Sequence, residues 1–260
     1  MSNLTLRWCA AIASGACASL ASADVTFFWR CNSAGTTLSQ YRDLLAVASN
    51  DVAGTAPVSP ALSNVSYRYL FGDFTQSQSS PGYVYLTNLD GGGNNMVSIT
   101  RYAANAGDPL GNLRTGTGGT TFSFSQNWSR NDDVYHDGTY FYRNTSGAHG
   151  STGATRYATF ADLVNITNGV GFTFGVTYGF NDRFFGFEGK IYRTNTSGPD
   201  GNMNGFATYD SFSDLVNGIV SSNQSSVLFS WSDMFIAVPA PGVAALLGLA
   251  GLARRRDRRR

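Results

Sequence analysis

The 260-residue sequence contains a single glutamate, Glu188, a single lysine, Lys190, and two histidines, His136 and His149. Aspartate apart, groups that move protons or activate nucleophiles are therefore scarce. No G-x-S-x-G elbow, H-E-x-x-H pair, C-x-x-C pair or phosphate loop occurs, which excludes those chemistries in their usual form. Cysteine is scarce as well. Cys9 and Cys17 lie in the first 20 residues, leaving Cys31 alone in the body, so no disulfide framework is available there. Long apolar runs are also missing. The longest uninterrupted one, residues 242–253, has 12 residues, whereas a membrane span needs about 20.

The two ends of the chain differ from what lies between them. Arg7 precedes an alanine-rich apolar stretch, residues 8–20, and Ala21-Ser22-Ala23 is a small-x-small pattern of the kind signal peptidase cuts. The expectation is a signal peptide over 1–23 with cleavage directed by Ala21 and Ala23, and a mature chain starting at Asp24. A buried N-terminal helix is the alternative, and weak amphipathicity argues against it. At the other end Val238, Pro239 and Pro241 precede the short apolar helix expected over 243–253. Arg254, Arg255 and Arg256 then open a cluster of six arginines ending at Arg260.

This tail resembles the PEP-CTERM sorting signal of bacterial surface proteins, with Ala240 where the name-giving motif has Glu. The resemblance covers about 23 residues, 238–260, and implies transient retention at the inner membrane, with the arginines inside, until an exosortase-type enzyme cleaves near the motif. A plain C-terminal membrane anchor is the other reading. Taking both segments away removes seven of 18 basic and one of 17 acidic side chains, leaving a body with net charge near −5. Such a body gains nothing from counterion release on nucleic acid or anionic lipid.

What the body, residues 24–237, does have is Gly, Ser, Thr, Asn, Tyr and Phe in short apolar-aromatic runs between turn residues, the pattern of an all-β domain. It also repeats itself. "WRCNSAG" (29–35) matches "YRTNTSG" (192–198), while "YLTNLDG" (85–91) and "YRNTSG" (142–147) fit the same frame. "FADLVN" (160–165) and "FSDLVN" (212–217) follow two of these copies, each with Thr159 or Ser211 placed to cap a short helical turn. "ITRYAAN" stands at the corresponding place of the second copy and reads as degenerate.

Four strand types recurring about every 50 residues are the mark of propeller blades. The chain opens inside a unit at "VTFFWRCN" and ends on the missing half, "SVLFSWSDMFIA" (226–237). The expectation is therefore a four-bladed β-propeller-like ring closed by pairing of the N- and C-terminal strands, those two stretches forming one blade. A β-sandwich or solenoid with internal duplication is the alternative.

The repeated acids Asp73, Asp132 or Asp133, Asp182 and Asp233 are expected to cap turns and to pair with the repeated Arg30, Arg143 and Arg193. Lining a central channel or binding a cation is the sharper alternative. His136 reads as a solvated turn residue. "DGNMNG" offers Asp200, Asn202 and Asn204 as calcium ligands, but Ser211 stands where the bidentate Glu of such a loop belongs, so the match is partial and an ordinary turn competes with it.

The function these features favour is that of an exported, non-enzymatic repeat protein of the cell surface or extracellular matrix. Its role would be structural, adhesive or glycan-binding, with polysaccharide or other surface proteins as partners. A secreted polysaccharide hydrolase or lyase using face carboxylates is the alternative.

Overall fold

The computed structural model describes residues 26–63, 65–74, 82–105, 108–147, 150–179, 181–196 and 201–239. The expected signal segment, Pro241, the arginine cluster, His149 and Asp200 lie outside the described residues.

The described chain folds as four antiparallel sheets of four strands each. Blade 1 holds β1 (Thr26–Cys31), β2 (Thr37–Tyr41) and β3 (Gly54–Pro57), with helix α1 (Leu44–Ser49) between the last two. Blade 2 holds β4 (Leu70–Gly72), β5 (Tyr83–Leu89), β6 (Asn95–Ala103) and β7 (Thr120–Ser129), with α2 (Gly111–Thr115) before β7. Blade 3 follows with β8 (Asp133–His136), β9 (Phe141–Gly147), β10 (Gly150–Tyr157), α3 (Phe160–Asn165) and β11 (Val170–Tyr178). Blade 4 repeats it with β12 (Phe184–Phe187), β13 (Lys190–Thr196), β14 (Met203–Tyr209), α4 (Phe212–Asn217) and β15 (Ser222–Phe229).

The last strand, β16 (Met234–Pro239), pairs with β1 from Cys31 opposite Met234 to Thr26 opposite Pro239 and becomes the inner strand of blade 1. This is a four-bladed propeller closed by pairing of its first and last strands. The strand runs on through Val238 and Pro239, the first two residues of the expected sorting motif, which pair with Phe27 and Thr26 of β1.

One expectation about the closing blade is corrected. "SVLF" does not join "VTFFWRCN". It ends β15, which pairs with β14 as the outermost strand of blade 4. The chain then turns at Ser230–Asp233, where the Asp233 N–H donates to the Ser230 carbonyl, and only "MFIAVP" enters blade 1. The unit that repeats in sequence is thus offset by one strand from the blade that forms in space. An outer strand must add to the sheet already laid down before the chain can cross to the axis.

Burial follows position in the blade. Every residue of β4, β8 and β12 is buried, because an inner strand has the axis on one side and its own sheet on the other. The outer strands β7 and β11 alternate toward exposure. Aromatic rings bridge neighbouring inner strands: Tyr135 stacks on Phe184 with centroids 5.7 Å apart, and Phe185 on Phe235 at 5.9 Å. Such pairs add about 0.5–1.5 kcal/mol beyond the area they bury.

The short helices latch blade to blade. Thr159 and Ser211 cap α3 and α4 as expected, each accepting from a backbone N–H three residues on at 3.1 Å. Asp43 caps α1 in the same way, accepting from the Ala46 N–H at 2.7 Å. Helices this short are not stable alone; each lies on the outer strand of the preceding blade, α3 on β7, α4 on β11 and α1 on β15. Ser125 Oγ donates to the Asn165 carbonyl at 2.9 Å across one such seam.

Candidate functional site

The repeated Asp and Arg residues form structural staples. Arg143 Nε and Nη2 donate to Asp132 at 2.8 and 2.5 Å. Arg193 donates to Asp182 at 3.0 Å, and Arg30 lies 3.2 Å from Asp233. Each guanidinium also sits over a ring at the end of the preceding blade's outer strand: Arg143 over Trp128 at 4.7 Å, Arg193 over Tyr178 at 4.9 Å, Arg30 over Phe229 at 4.8 Å. The trio of acid, arginine and ring thus ties three of the four blade junctions. Turn capping occurs too, since Asp182 accepts from the N–H groups of Gly179 and Thr196.

Asp73 does not belong to that series. The register places Leu86 opposite Leu70, as Arg143 lies opposite Val134, so the series positions of blade 2 are occupied by Leu86 and Arg68. Arg68 instead donates to the Thr87 carbonyl at 2.7 Å and to Asn88 at 2.6 Å. Asp73 lies at the far end of β4 and matches Asp137: Tyr85 and Tyr142 each donate their hydroxyl to it or to Asp137 at 2.7 Å.

Nor do these acids line an open channel. At the start of the inner strands Asp133 and Arg183 are buried, and the Arg183 guanidinium lies 4.7 Å from the Tyr69 ring centre. Burial pushes the Asp133 carboxyl well up, with Arg183 drawing it back and Asp182 and Asp132 raising it further. The cleft beside them, lined by Arg68, Tyr69, Arg183 and Met234, holds about 10 Å³, room for at most one water.

His136 is not solvated. It closes inner strand β8 at 4% exposure, its Nδ1 accepts from the Gly138 N–H at 2.9 Å, and its ring rests against Phe141. Burial lowers its pKa to about 4, with Asp73 and Asp137 pulling the other way. Of the calcium candidates, Asn202 and Asn204 are exposed and Asn204 stands in β14, while Asp200 lies outside the described residues. Among the described residues no three His, Cys, Asp or Glu side chains gather closely enough to hold a metal ion. Asp90 in the analogous loop turns its oxygens to the Asn94 N–H and the Asn95 amide, both at 2.8 Å.

An open groove of about 450 Å³ lies between blades 3 and 4. Tyr140, Arg156, Phe172 and Phe212 form its floor, and Thr139, Asp210, Ser211 and Ser213 its rim. The arginine is held by rings: its guanidinium lies 4.5 Å from the Tyr140 centroid and 5.2 Å from that of Phe172. Phe172 meets Phe212 edge-on at 4.9 Å, and Phe212 stacks on Tyr142 at 4.3 Å. Asp137, beneath, is fully engaged by the N–H groups of Thr139 and Tyr140 and by the Tyr142 hydroxyl.

The same arrangement recurs one blade earlier. Arg101 lies 4.4 Å from Tyr83, 5.0 Å from Phe122 and 5.3 Å from Phe160. Phe122 meets Phe160 edge-on at 5.0 Å, Tyr85 packs on Phe160 at 4.9 Å, and Asp73 stands in for Asp137. Arg101 opposes Tyr85 in the ladder as Arg156 opposes Tyr142. Thr208 and Gln40 hold that position in blades 4 and 1, so the motif occurs in two blades only. Unlike the staple arginines, neither Arg101 nor Arg156 has an ion-pair partner among the described residues. Sequence reasoning missed both, although "TRYA" at 100–103 and 155–158 marks them.

No protein family matches the sequence, and no curated protein matches it. Among solved structures it is similar to the crystal structure of Citrobacter koseri AztD, at 10% identity and a TM-score of 0.30, covering 79% of this chain and 48% of that one. The apo form of the same AztD gives 9% identity, a TM-score of 0.31 and the same coverage. The chain spans about half the length of the solved structures it matches.

Proposed function

We propose that the protein is an exported, non-catalytic propeller of the cell surface or extracellular matrix that binds polysaccharide in the groove between blades 3 and 4 and along the matching ring-held arginine of blade 2. The observation that carries this reading is the groove of about 450 Å³ with its ring-held Arg156, repeated around Arg101. A concave site with an aromatic floor and a few convergent hydroxyl and carboxylate groups suits a hydroxyl-rich ligand. The carboxylate beneath it, Asp137, is committed to its own turn, which argues for binding over hydrolysis. Export rests on the small-x-small site Ala21–Ala23 and on the sorting-type tail with Pro239, Pro241 and Arg254. Processing by signal peptidase and an exosortase-type enzyme would give the mature form.

The test takes protein recovered from the cell exterior, records its intact mass, and passes it through gels carrying a panel of polysaccharides. The expected result is a mass starting at Asp24 and lacking Arg254–Arg260, and retardation by at least one polysaccharide. An intact arginine tail would overturn the sorting half of the reading, and free migration through every polysaccharide would overturn the binding half.

A further inference from the structure

Arg156, in the groove, and Arg101, one blade earlier, are held under the same constraint. The ring faces beneath Arg156 are already covered, by the guanidinium itself on Tyr140 and Phe172 and by mutual packing of Phe212 with Tyr142. A sugar therefore finds few bare faces to stack on. It meets instead a guanidinium held against two rings, with no acid paired to it among the described residues. An arginine held in this way offers parallel N–H donors whose ordering has already been done, the geometry that suits a planar carboxylate.

The rim narrows the choice of anion. Asp210 is exposed at the groove edge, where it pairs with Lys190 at 3.3 Å, and Asp137 lies below. Two cations, Arg156 and Lys190, balanced by the carboxylates of Asp137 and Asp210 on a body near −5, leave no surplus positive charge for ligands that carry several negative charges per residue. The site tolerates a single charge accompanied by many hydroxyls. Ser211, Ser213 and Thr139 line the same groove as further partners for those hydroxyls.

From the groove at Arg156 and the matching ring-held Arg101 we infer that the ligand is a polymer of uronic acid residues, whose carboxylates are taken one each by Arg156 and Arg101, so that one chain is held by two adjacent blades. This rests on the polysaccharide-binding reading and names the chemistry of its ligand. Tethering the second carboxylate to the first makes its binding intramolecular, so a long chain should bind far better than a short one.

The experiment measures binding of the mature protein to a polyuronate, to the same polymer after reduction of its carboxyls to neutral sugars, to a short uronic oligosaccharide and to a sulfated polysaccharide. Arg156→Gln and Arg101→Gln should each weaken polyuronate binding by tenfold or more, and the double variant should abolish it. Lysine at these positions keeps the charge but not the fork, so Arg156→Lys should recover less than half of the loss on a logarithmic scale. The carboxyl-reduced polymer should not bind, and the short oligosaccharide should bind at least a hundredfold more weakly than the polymer.

Ser213→Asp provides a variant that leaves the packed floor intact: it places a negative charge on the exposed rim and should also weaken binding to the polyuronate. If the reduced polymer binds as well as the polyuronate and the arginine variants bind normally, the inference is overturned while the polysaccharide reading stands. Tighter binding of the sulfated polymer would overturn it in favour of a general anion site. If no polymer of any kind binds, both fall together.

Discussion

His136 closes an inner strand with its Nδ1 accepting from the Gly138 N–H, a bond that only the neutral ring can make. Burial lowers its pKa from 6.5 to about 4. Between those values the unfolded chain binds a proton that the folded chain refuses. The stability is therefore complete above about pH 6.5 and is lost as pH falls through 6.5 toward 4, by about 3 kcal/mol in all. Asp133 and Asp233, both raised chiefly by burial, slope the opposite way, since their folded forms hold protons more readily than the unfolded chain. The comparison to make is thus with His136→Asn, whose side-chain oxygen can accept from the Gly138 N–H without titrating. Urea unfolding from pH 7 to 4 should show wild type losing about 3 kcal/mol more than this variant. Parallel pH profiles would show that the ring is solvated after all, the reading the sequence suggested. A His-Asp-Gly turn carries no mark of whether its strand runs at the axis or at the rim.

Between elements, the staple of Asp132, Arg143 and Trp128 shows why a short motif repeats. A blade's outer strand and the next blade's inner strand are joined by only a tight turn. A charged pair lying on the outer strand's last ring fixes their angle. Removing one partner leaves a buried charge alone, which typically costs about 3–5 kcal/mol, while replacing the pair together costs much less. Arg143→Met should therefore lower the unfolding free energy by about 3–5 kcal/mol, and Asp132→Asn with Arg143→Met by clearly less than the two single losses added. Additive losses in a double-mutant cycle would show the two residues acting independently.

The arginines and acids of the staple were legible in the sequence because Asp132–Arg143 and Asp182–Arg193 share one spacing and each acid of the three junctions follows its ring by four residues. The ring-held arginines were not. Arg101 and Arg156 oppose a tyrosine of the neighbouring strand and draw their rings from the strands or turns on either side and from a helix of the next blade, so "TRYA" becomes a site only once register is known. Asp73 was misplaced for a related reason. Matching acid to acid set it against Asp132, whereas the pairing of Leu86 with Leu70 sets it against Asp137.

For the molecule as a whole, closure is the property on which everything else depends. β16 is both the inner strand of blade 1 and a neighbour of β4 and β12, so opening the pair β1–β16 exposes the axis to water. The four-fold count was readable from a chain that begins and ends partway through a unit. The offset of one strand was not, because sequence repeats do not say which strand starts a sheet. The register itself supplies a test. Cys31 and Met234 are directly opposed and both are buried, on the same face of the ladder. Opposed residues of an antiparallel pair lie about 4.5–5.5 Å apart at Cα, within the reach of a disulfide. Met234→Cys, folded under oxidising conditions, should therefore lose two hydrogens by mass and join the two ends of the domain covalently. Because that bond encloses about 200 residues, chain entropy predicts a stabilisation of about 5 kcal/mol over the reduced form, less any strain. The expected readout is a raised melting temperature that falls back on reduction. A variant that folds but keeps two free thiols would break the register of β1 with β16, and the closed ring with it.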